Sequence, residues 1–541
     1  MVGAKGADSI KSSFNLIICR AHVKIHGHKI MSFSKTYYLK RTTLVLLAVL
    51  ATLLLAIPYL VQRQTVIDDS FITARHSRNL VRGIDLVFNQ DQNVLGTTTP
   101  LWALLTTWIF LLPISDETQG NLISLFGGMM GLLGLYWWSR YWFPGSRFLS
   151  VLLFFALILA PSTADFFTMG METGPLILFC ALFWIALVSN EQTKNKWLMV
   201  VLLAQAILLL RLDAVFFIGS FGLAYLFLNQ ERKWRPLFTA GVVVSFLTLG
   251  CLWICKKKYG YYFPHSMLAK GSFQSEINFI SPMFYKVWLE KVYQLLRLNF
   301  PWPQKYKWVF QLVYHASFLG AVLTAVLRWR AMRTNQKTAL LGAFLYLLTY
   351  SLFLTLGGAG VYPWYGHIPC FIFFGVMTPI LIELVRKPIS SAIVLGVYGG
   401  ILLMHIIGYS GFFVLGDLNS PGLHLGLFLK KAGCRSVMLE PIGYIGFFSD
   451  CNHVYDLAGL VSPEILEMRK SGKLSWFFGA VEKFQPQYIV LRRGEVERNV
   501  GFNVGVLFSS DQERQKFKEQ YSQEGQIENN WNQVYSLYLR K

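Results

Sequence analysis

The chain has 541 residues, of which 54% are hydrophobic, 16% aromatic and only 15% charged, and its mean hydropathy is +0.43. A soluble chain of this length would carry about a quarter charged residues and divide into several compact domains, so the composition excludes a soluble enzyme, a disordered chain and a coiled coil and predicts a polytopic helical membrane protein. The formal charge of +21 then reads as Lys and Arg concentrated on cytoplasmic connectors and attracted to head groups or lipid phosphates, not to nucleic acid.

In chain order, residues 1–42 read as a basic cytoplasmic tail, with Lys35, Lys40 and Arg41 beside the first apolar run and Met31 as an alternative start. A membrane crossing takes roughly 20 apolar residues over about 30 Å. Runs at 43–61, 120–138, 147–161, 172–189, 197–210, 214–230, 236–255, 309–327, 338–356, 366–385 and 391–410 predict about 11 spans within a domain covering 43–410. The segment 100–113 is apolar but short and bounded by Pro100 and Pro113. Assigning it to the interface puts the connectors bearing Arg140 and Arg147, Lys194 and Lys196, Arg232, Lys233 and Arg235, Arg328 to Lys337, and Arg386 and Lys387 on the cytoplasmic side.

Three long segments then face the other way: 62–119, 256–308, and 411–541. Lys256, Lys257 and Lys258 abut a span on that side, against a charge rule that long loops obey weakly. From 411 the composition turns soluble. Short β-rich runs at Ser436–Leu439 and Tyr488–Leu491 alternate with polar helical stretches such as 510–521, predicting a small extracytoplasmic α/β domain. The seven cysteines form no CxxC pair, which argues against a metal or redox framework; a Cys434–Cys451 bridge is left open. The expected architecture is an all-α polytopic membrane domain followed by a C-terminal extracytoplasmic α/β domain.

The loop 62–119 carries the chemistry. Asp68 and Asp69 follow the first span closely. Adjacent carboxylates near a low-dielectric surface call for a raised pKa or a cationic partner, the setting of a general base or a metal ligand. They equally suit a helix start with solvated charge, and the residues alone leave both readings open. Phe71, Ala74, Leu80 and Val81 against Arg75, Arg78 and Arg82 predict an amphipathic interfacial helix ended by Gly83, with a turn at Asn89–Gln92.

The order of these features resembles the first extracytoplasmic loop of GT-C glycosyltransferases that use polyprenyl-phosphate sugars, especially the bacterial arabinofuranosyltransferase-like branch. The resemblance rests on Asp68–Asp69, then Phe71, Ile72, Arg75, Arg78, Asn79 and Leu80, then Gly83 with Leu86–Asn89, then Gly96, Thr98 and Pro100–Trp102. Weaker echoes follow in the expected order at Met169–Thr173, Arg211–Ala214, Tyr259–Lys270 and Gly443–Pro463. The chain departs from the pattern at Leu95–Thr99, His76 and His265.

The resemblance implies a multi-pass cell-membrane enzyme with its active site on the extracytoplasmic face. It would move a sugar from a polyprenyl-phosphate donor to an acceptor hydroxyl on a glycan, lipid or protein, with inversion. Asp68 is the expected base and Asp69 the close second. Lys270, Arg211, His367 and Lys258 are the candidates for the donor phosphate; Arg75, Glu172, His265, Tyr362, Trp364 and Tyr365 are those for sugar or acceptor. Arg211 and Asp213 also read as a structural ion pair, and Glu172 as a helix cap. No metal is expected to be obligatory, although Asp68–Asp69 has the donor set for a divalent ion. The alternatives are a transporter or flippase of lipid-linked solutes, which would show internal repeats and midplane charges, and a non-catalytic scaffold whose outer domain binds glycan.

Overall fold

The computed structural model describes residues 66–158, 169–189, 194–229, 234–270, 282–295, 322–323, 326–357, 363–384, 420–472, 474, 476–501, 504–528 and 534–541. The expected tail 1–42 and the runs 43–61 and 391–410 lie outside the described residues, as does nearly all of 309–327.

The remaining apolar runs are helices close to their expected bounds. The first long connector forms α1 (Asp68–Val81) and α2 (Pro100–Thr106), the latter continuing as a 3-10 turn to Leu111. Then come α3 (Asp116–Trp142), α4 (Arg147–Ile158), α5 (Thr173–Val188), α6 (Lys194–Leu210), α7 (Val215–Leu228), α8 (Trp234–Tyr259), the short α9 (His265–Lys270), α10 (Pro282–Leu295), α11 (Thr334–Leu356) and α12 (His367–Leu384). By length and composition α3, α8 and α11 are long and apolar enough to cross a membrane; α4, α5, α6, α7 and α12 are shorter apolar helices. Ser115 starts α3 by accepting the amide of Thr118, with Asp116 and Glu117 in the first turn, a favourable arrangement at a helix N-terminus. Glycines then let α3 and α5 approach closely. A Cβ on Gly174 would overlap the main chain of Gly127, and one on Gly134 would lie 2.7 Å from Leu178, as in membrane helix pairs built on small residues.

The C-terminal part holds α13 (Ser420–Lys431), β1 (Ser436–Leu439), α14 (Gly443–Ser449), β2 (His453–Asp456), α15 (Pro463–Lys470), α16 (Trp476–Phe484), β3 (Tyr488–Arg492), α17 (Glu495–Arg498), the short pair β4 (Val500–Gly501) and β5 (Gly505–Val506), α18 (Asp511–Gln520), β6 (Tyr521–Glu528) and β7 (Val534–Arg540). The main sheet has the order β2-β1-β3-β7-β6. β1 is parallel to β2 and β3, and β7 runs antiparallel to β3 and β6. The central strands are apolar nearly throughout because helices cover both faces. Cys434 and Cys451 are bridged, with Cα atoms 5.0 Å apart.

This α/β part is not set off from the helices. Leu423, Tyr444, Phe447 and Phe448 belong to the same buried cluster as the helical core, while Ile72 and Phe88 from the first long connector belong to the core on one face of the sheet. The connector is thus inserted between the two parts.

Candidate active site

Helix α1 departs from its expected setting. Its apolar-against-basic pattern predicted a helix lying on an interface, yet Ser70 to Asn79 are all buried. Phe71 packs on Tyr444, Phe447 and Phe448 of α14 with ring centroids 4.5, 5.1 and 5.1 Å apart. The arginines face the α/β part. Arg75 donates Nε to the carbonyl of Phe88 (2.8 Å), Nη2 to that of Cys451 (2.6 Å) and Nη1 to that of Gly446. Arg78 donates to the carbonyl of Phe447 (2.9 Å), stacks on the Phe447 ring and pairs with Asp450 at 3.2 Å. Arg82 holds Asp450 with both terminal nitrogens, at 2.7 and 3.2 Å. Buried guanidinium groups must be saturated with acceptors, and main-chain carbonyls at the end of a helix are a ready supply. Arg75 is therefore a joint residue; every one of its nitrogens is committed to a carbonyl rather than to sugar.

The two aspartates diverge. Asp68 accepts the amide of Gly443 at 2.8 Å and that of Tyr444 at 2.7 Å, one on each oxygen, so it caps the N-terminus of α14 from a distant part of the chain. A Cβ on Gly443 would overlap the main-chain oxygen and carboxyl carbon of Asp68. The Tyr444 hydroxyl adds a bond to the Val66 carbonyl at 2.6 Å. Burial raises the Asp68 carboxyl, the two amides lower it, and the charges of Asp69 and Asp456 raise it again, for a value of about 7. Asp69, one residue on, is about a quarter exposed and lies 3.4 Å from Lys270 at the end of α9, which is equally exposed.

Several elements converge on that pair. The Met169 carbonyl accepts the Ile67 amide (3.3 Å), and the Met169 sulfur contacts Nε2 of the buried His367 at 3.4 Å. Gly170, with φ of +70°, lies against Ser70, where a Cβ would come within 2.9 Å of the hydroxyl. Two residues later Glu172 makes no cap bond to α5. It turns to Arg211 (3.2 Å), whose Nε and Nη2 grip Asp213 at 2.9 and 2.6 Å; the Tyr350 hydroxyl donates to Asp213 at 2.7 Å. The Arg211 guanidinium lies 4.8 Å from the centre of the Tyr365 ring. Tyr365 joins the two groups electrostatically. Burial raises its phenol, Lys270 and Arg211 pull it down, and Asp213 and Asp69 push it up.

Other expected site residues have other partners. Lys258 is paired with Asp85 at 2.7 Å on the surface. His265 is buried, its amide bonded to the Leu95 carbonyl (2.8 Å) and its ring to the Leu460 carbonyl (3.3 Å). Leu460 is placed by Asp456, which accepts the amides of Ala458, Leu460 and Val461; burial outweighs those bonds and lifts the Asp456 carboxyl to about 6. Arg211 shares its charge with two carboxyl groups, so this cluster has no positive charge to spare for a phosphate. Tyr362 and the Trp364 side chain lie outside the described residues.

Sequence reasoning missed the joint: Arg78, Arg82 and Asp450, and the hydroxyl ladder in which Thr73 meets Thr97 at 2.9 Å and Ser77 meets Thr106 at 3.0 Å. His76 accepts the Gly96 amide (3.1 Å) and donates to the Ile72 carbonyl (2.8 Å), and burial lowers it to about 4, so it is neutral at physiological pH. The departures at 76 and 95–99 thus fit one another. Among the described residues no cluster of three or more His, Cys, Asp or Glu is arranged to hold a metal ion.

Residues 419–538 match a family described as a domain of unknown function (DUF8728). A stretch of 147 residues, 24% of this chain, is 29% identical to the terminal beta-(1->2)-arabinofuranosyltransferase of Mycobacterium tuberculosis (strain ATCC 25618 / H37Rv) and spans 22% of that protein. The architecture is similar to that of ArnT from Cupriavidus metallidurans. The apo structure aligns with a TM-score of 0.57 at 14% identity, and the structure bound to undecaprenyl phosphate with 0.56 at 15%; each alignment covers 92% of this chain and 98% of that one.

Proposed function

We propose, on the premise that the chain has the GT-C fold of ArnT, that it is a membrane glycosyltransferase. It moves a sugar from a polyprenyl phosphate to an acceptor hydroxyl at the extracytoplasmic surface. The observation that carries the reading is the Asp69–Lys270 pair, an accessible carboxylate 3.4 Å from a cation, set in a fold that in ArnT was captured with undecaprenyl phosphate.

Asp69 takes the base role in preference to Asp68. A base must present an oxygen to the acceptor hydroxyl within about 3 Å, and both oxygens of Asp68 already accept α14 amides. Asp69 removes the acceptor proton as the hydroxyl oxygen attacks the anomeric carbon from the side opposite the phosphate. The bond between that carbon and the phosphate oxygen breaks, its electron pair leaves with the polyprenyl phosphate, and the configuration inverts. Lys270 neutralises the departing phosphate, and His367 lines the same approach through Met169. The step needs no metal at Asp68–Asp69, since the two carboxylates serve different partners.

The M. tuberculosis relative supports a pentofuranose as the first donor to try. Purified protein in proteoliposomes, supplied with polyprenyl-phosphate arabinofuranose and with pentopyranose and hexose counterparts, should transfer at least one sugar. Asp69→Asn should abolish that transfer without loss of folded protein. Equal transfer by wild type and variant overturns the assignment of the base; no transfer from any donor overturns the enzyme.

A further inference from the structure

The Glu172–Arg211–Asp213–Tyr350 cluster has one unused acceptor. Glu172 is 2% exposed. Its Oε1 takes the bond from Arg211, while its Oε2 is buried with no hydrogen-bond partner among the described residues. A buried carboxylate oxygen left bare is costly, and buried polar atoms in folded proteins are nearly always paired. Among the described residues the surroundings do not repair the deficit: Arg211 is turned to Asp213 by Nε and Nη2, and the Tyr350 hydroxyl is spent on Asp213. The cluster sets two carboxyl groups against one guanidinium, so it has no positive charge to spare for an anion and suits a neutral hydrogen-bond donor. It is also next to the chemistry. Glu172 follows Met169 and Gly170, which contact Ile67, Ser70 and His367, and Tyr365 stacks on Arg211 within the fields of Lys270 and Asp69.

We propose that Glu172 Oε2 accepts a hydrogen bond from one hydroxyl group of the transferred sugar, making Glu172 a specificity-determining residue and Arg211, Asp213 and Tyr350 the frame that aims it. The assignment rests on the glycosyl-transfer reading but has its own readout. A site built to bond a hydroxyl discriminates strongly against a ligand lacking it, because the buried acceptor is left bare again. Fluorine in place of the hydroxyl cannot donate, so it fails as well.

The test uses the full-length protein in proteoliposomes with the donor it transfers, polyprenyl-phosphate arabinofuranose first, and that donor's monodeoxy and monodeoxyfluoro analogues. At one ring position both analogues should lose at least tenfold in kcat/KM with wild type, and Glu172→Gln and Glu172→Ala should shrink that penalty to within about twofold. A merely structural Glu172 would slow all donors alike and leave the ratio intact. The proposal is overturned if no position costs wild type more than about threefold, or if the penalty survives in both variants. The wild-type series stands without either variant, so misfolding of a variant does not shelter the idea. Where turnover is too slow to measure, competitive binding of the same analogues reads the same discrimination, which separates failure here from failure of the transfer reaction.

Discussion

Asp68 and Asp69 are adjacent in sequence and belong to two regions built on opposite terms. Around Asp68 the groups are buried and turned to one another: both oxygens cap α14, Arg75 spends its nitrogens on three carbonyls, and Arg78 and Arg82 close on Asp450. Around Asp69 the groups reach solvent: the carboxylate and Lys270 are each about a quarter exposed, and Glu172 has an oxygen with no hydrogen-bond partner among the described residues. A buried region holds geometry, and an exposed one can meet a substrate. In the α-helical frame of α1 the two aspartates point about 100° apart, which is how one helix start serves both purposes.

The sharpest way to break this comparison is to neutralise each carboxylate. Asp69→Asn should reduce transfer by roughly 10²- to 10⁴-fold, the scale of a lost general base, with unchanged yield and melting temperature. Asp68→Asn should behave in the reverse sense. Its carboxyl titrates near 7, so a neutral side chain is half-familiar to the site. The amide group must nevertheless face one of the two α14 amides, donor against donor, and the expected outcome is a lower melting temperature with about a tenfold loss of transfer. Assays in proteoliposomes paired with thermal unfolding separate the two. Equal kinetic damage from both variants would erase the distinction.

Arg75→Met comes next. It removes a donor from three buried carbonyls, of which Phe88 keeps the Asn79 amide and Gly446 the Ser449 hydroxyl; a carbonyl left unsatisfied costs about 1–3 kcal/mol, partly recovered by water. Hydrogen exchange over 443–451 should rise and the α/β part should become sensitive to protease while α3, α8 and α11 stay protected. Lys at this position should not rescue, since one ammonium cannot span carbonyls from residues 88, 446 and 451. Unchanged protection would mean that the joint is held by Phe71 and its aromatic neighbours alone.

That joint explains what the sequence could and could not disclose. The helices were legible because apolar runs of span length have few alternative fates: α3, α5, α6, α7, α8, α11 and α12 fall within a few residues of their expected bounds. The strands at 436–439 and 488–492 were legible for the same reason on a shorter period. The motif order in the first connector singled out the acidic pair, and the separate Tyr259–Lys270 element singled out Lys270. Their partners were not legible, because Asp68 meets residues 443 and 444, and Arg75 meets 446 and 451. No periodicity spans such a separation. The period of α1 even misleads, since arginines along one face look solvated until a second domain covers them. The late segment around Gly443–Pro463 carries the signal, but its resemblance to the family is one of sequence order and does not disclose a surface that packs on α1.

Acid should also loosen the joint. Burial by itself would raise the Asp450 carboxyl, but the bond from Arg82 and the charges of Arg78, Arg82 and Lys430 outweigh it and hold it at about 2. A carboxylate whose folded value lies below its unfolded one stabilises the fold above the unfolded value, and that contribution disappears as pH falls. The Asp450 share is therefore full above about pH 4 and drains away toward pH 2. Hydrogen exchange at 443–451 should rise across that window in the wild type. Asp450→Asn should start from a higher baseline and show a flatter response, and identical acid profiles would remove Asp450 from the joint.

The smallest effect belongs to Lys258, which the sequence nominated for the donor phosphate. Its ammonium is 43% exposed and paired with Asp85, itself 29% exposed, at 2.7 Å. Exposed pairs of this kind contribute about 0–1 kcal/mol because water screens the attraction and two long side chains lose freedom to make it. Lys258→Ala should leave the donor KM within about twofold of wild type and barely move the melting temperature, whereas Lys270→Ala should raise the donor KM by tenfold or more. The two lysines differ in what lies beyond the carboxylate each one meets. Asp85 leads to the protein surface, while Asp69 leads to Tyr365 and the Arg211 cluster. A large KM change at Lys258 with none at Lys270 would move the phosphate to the end of α8 and reverse the geography of the site.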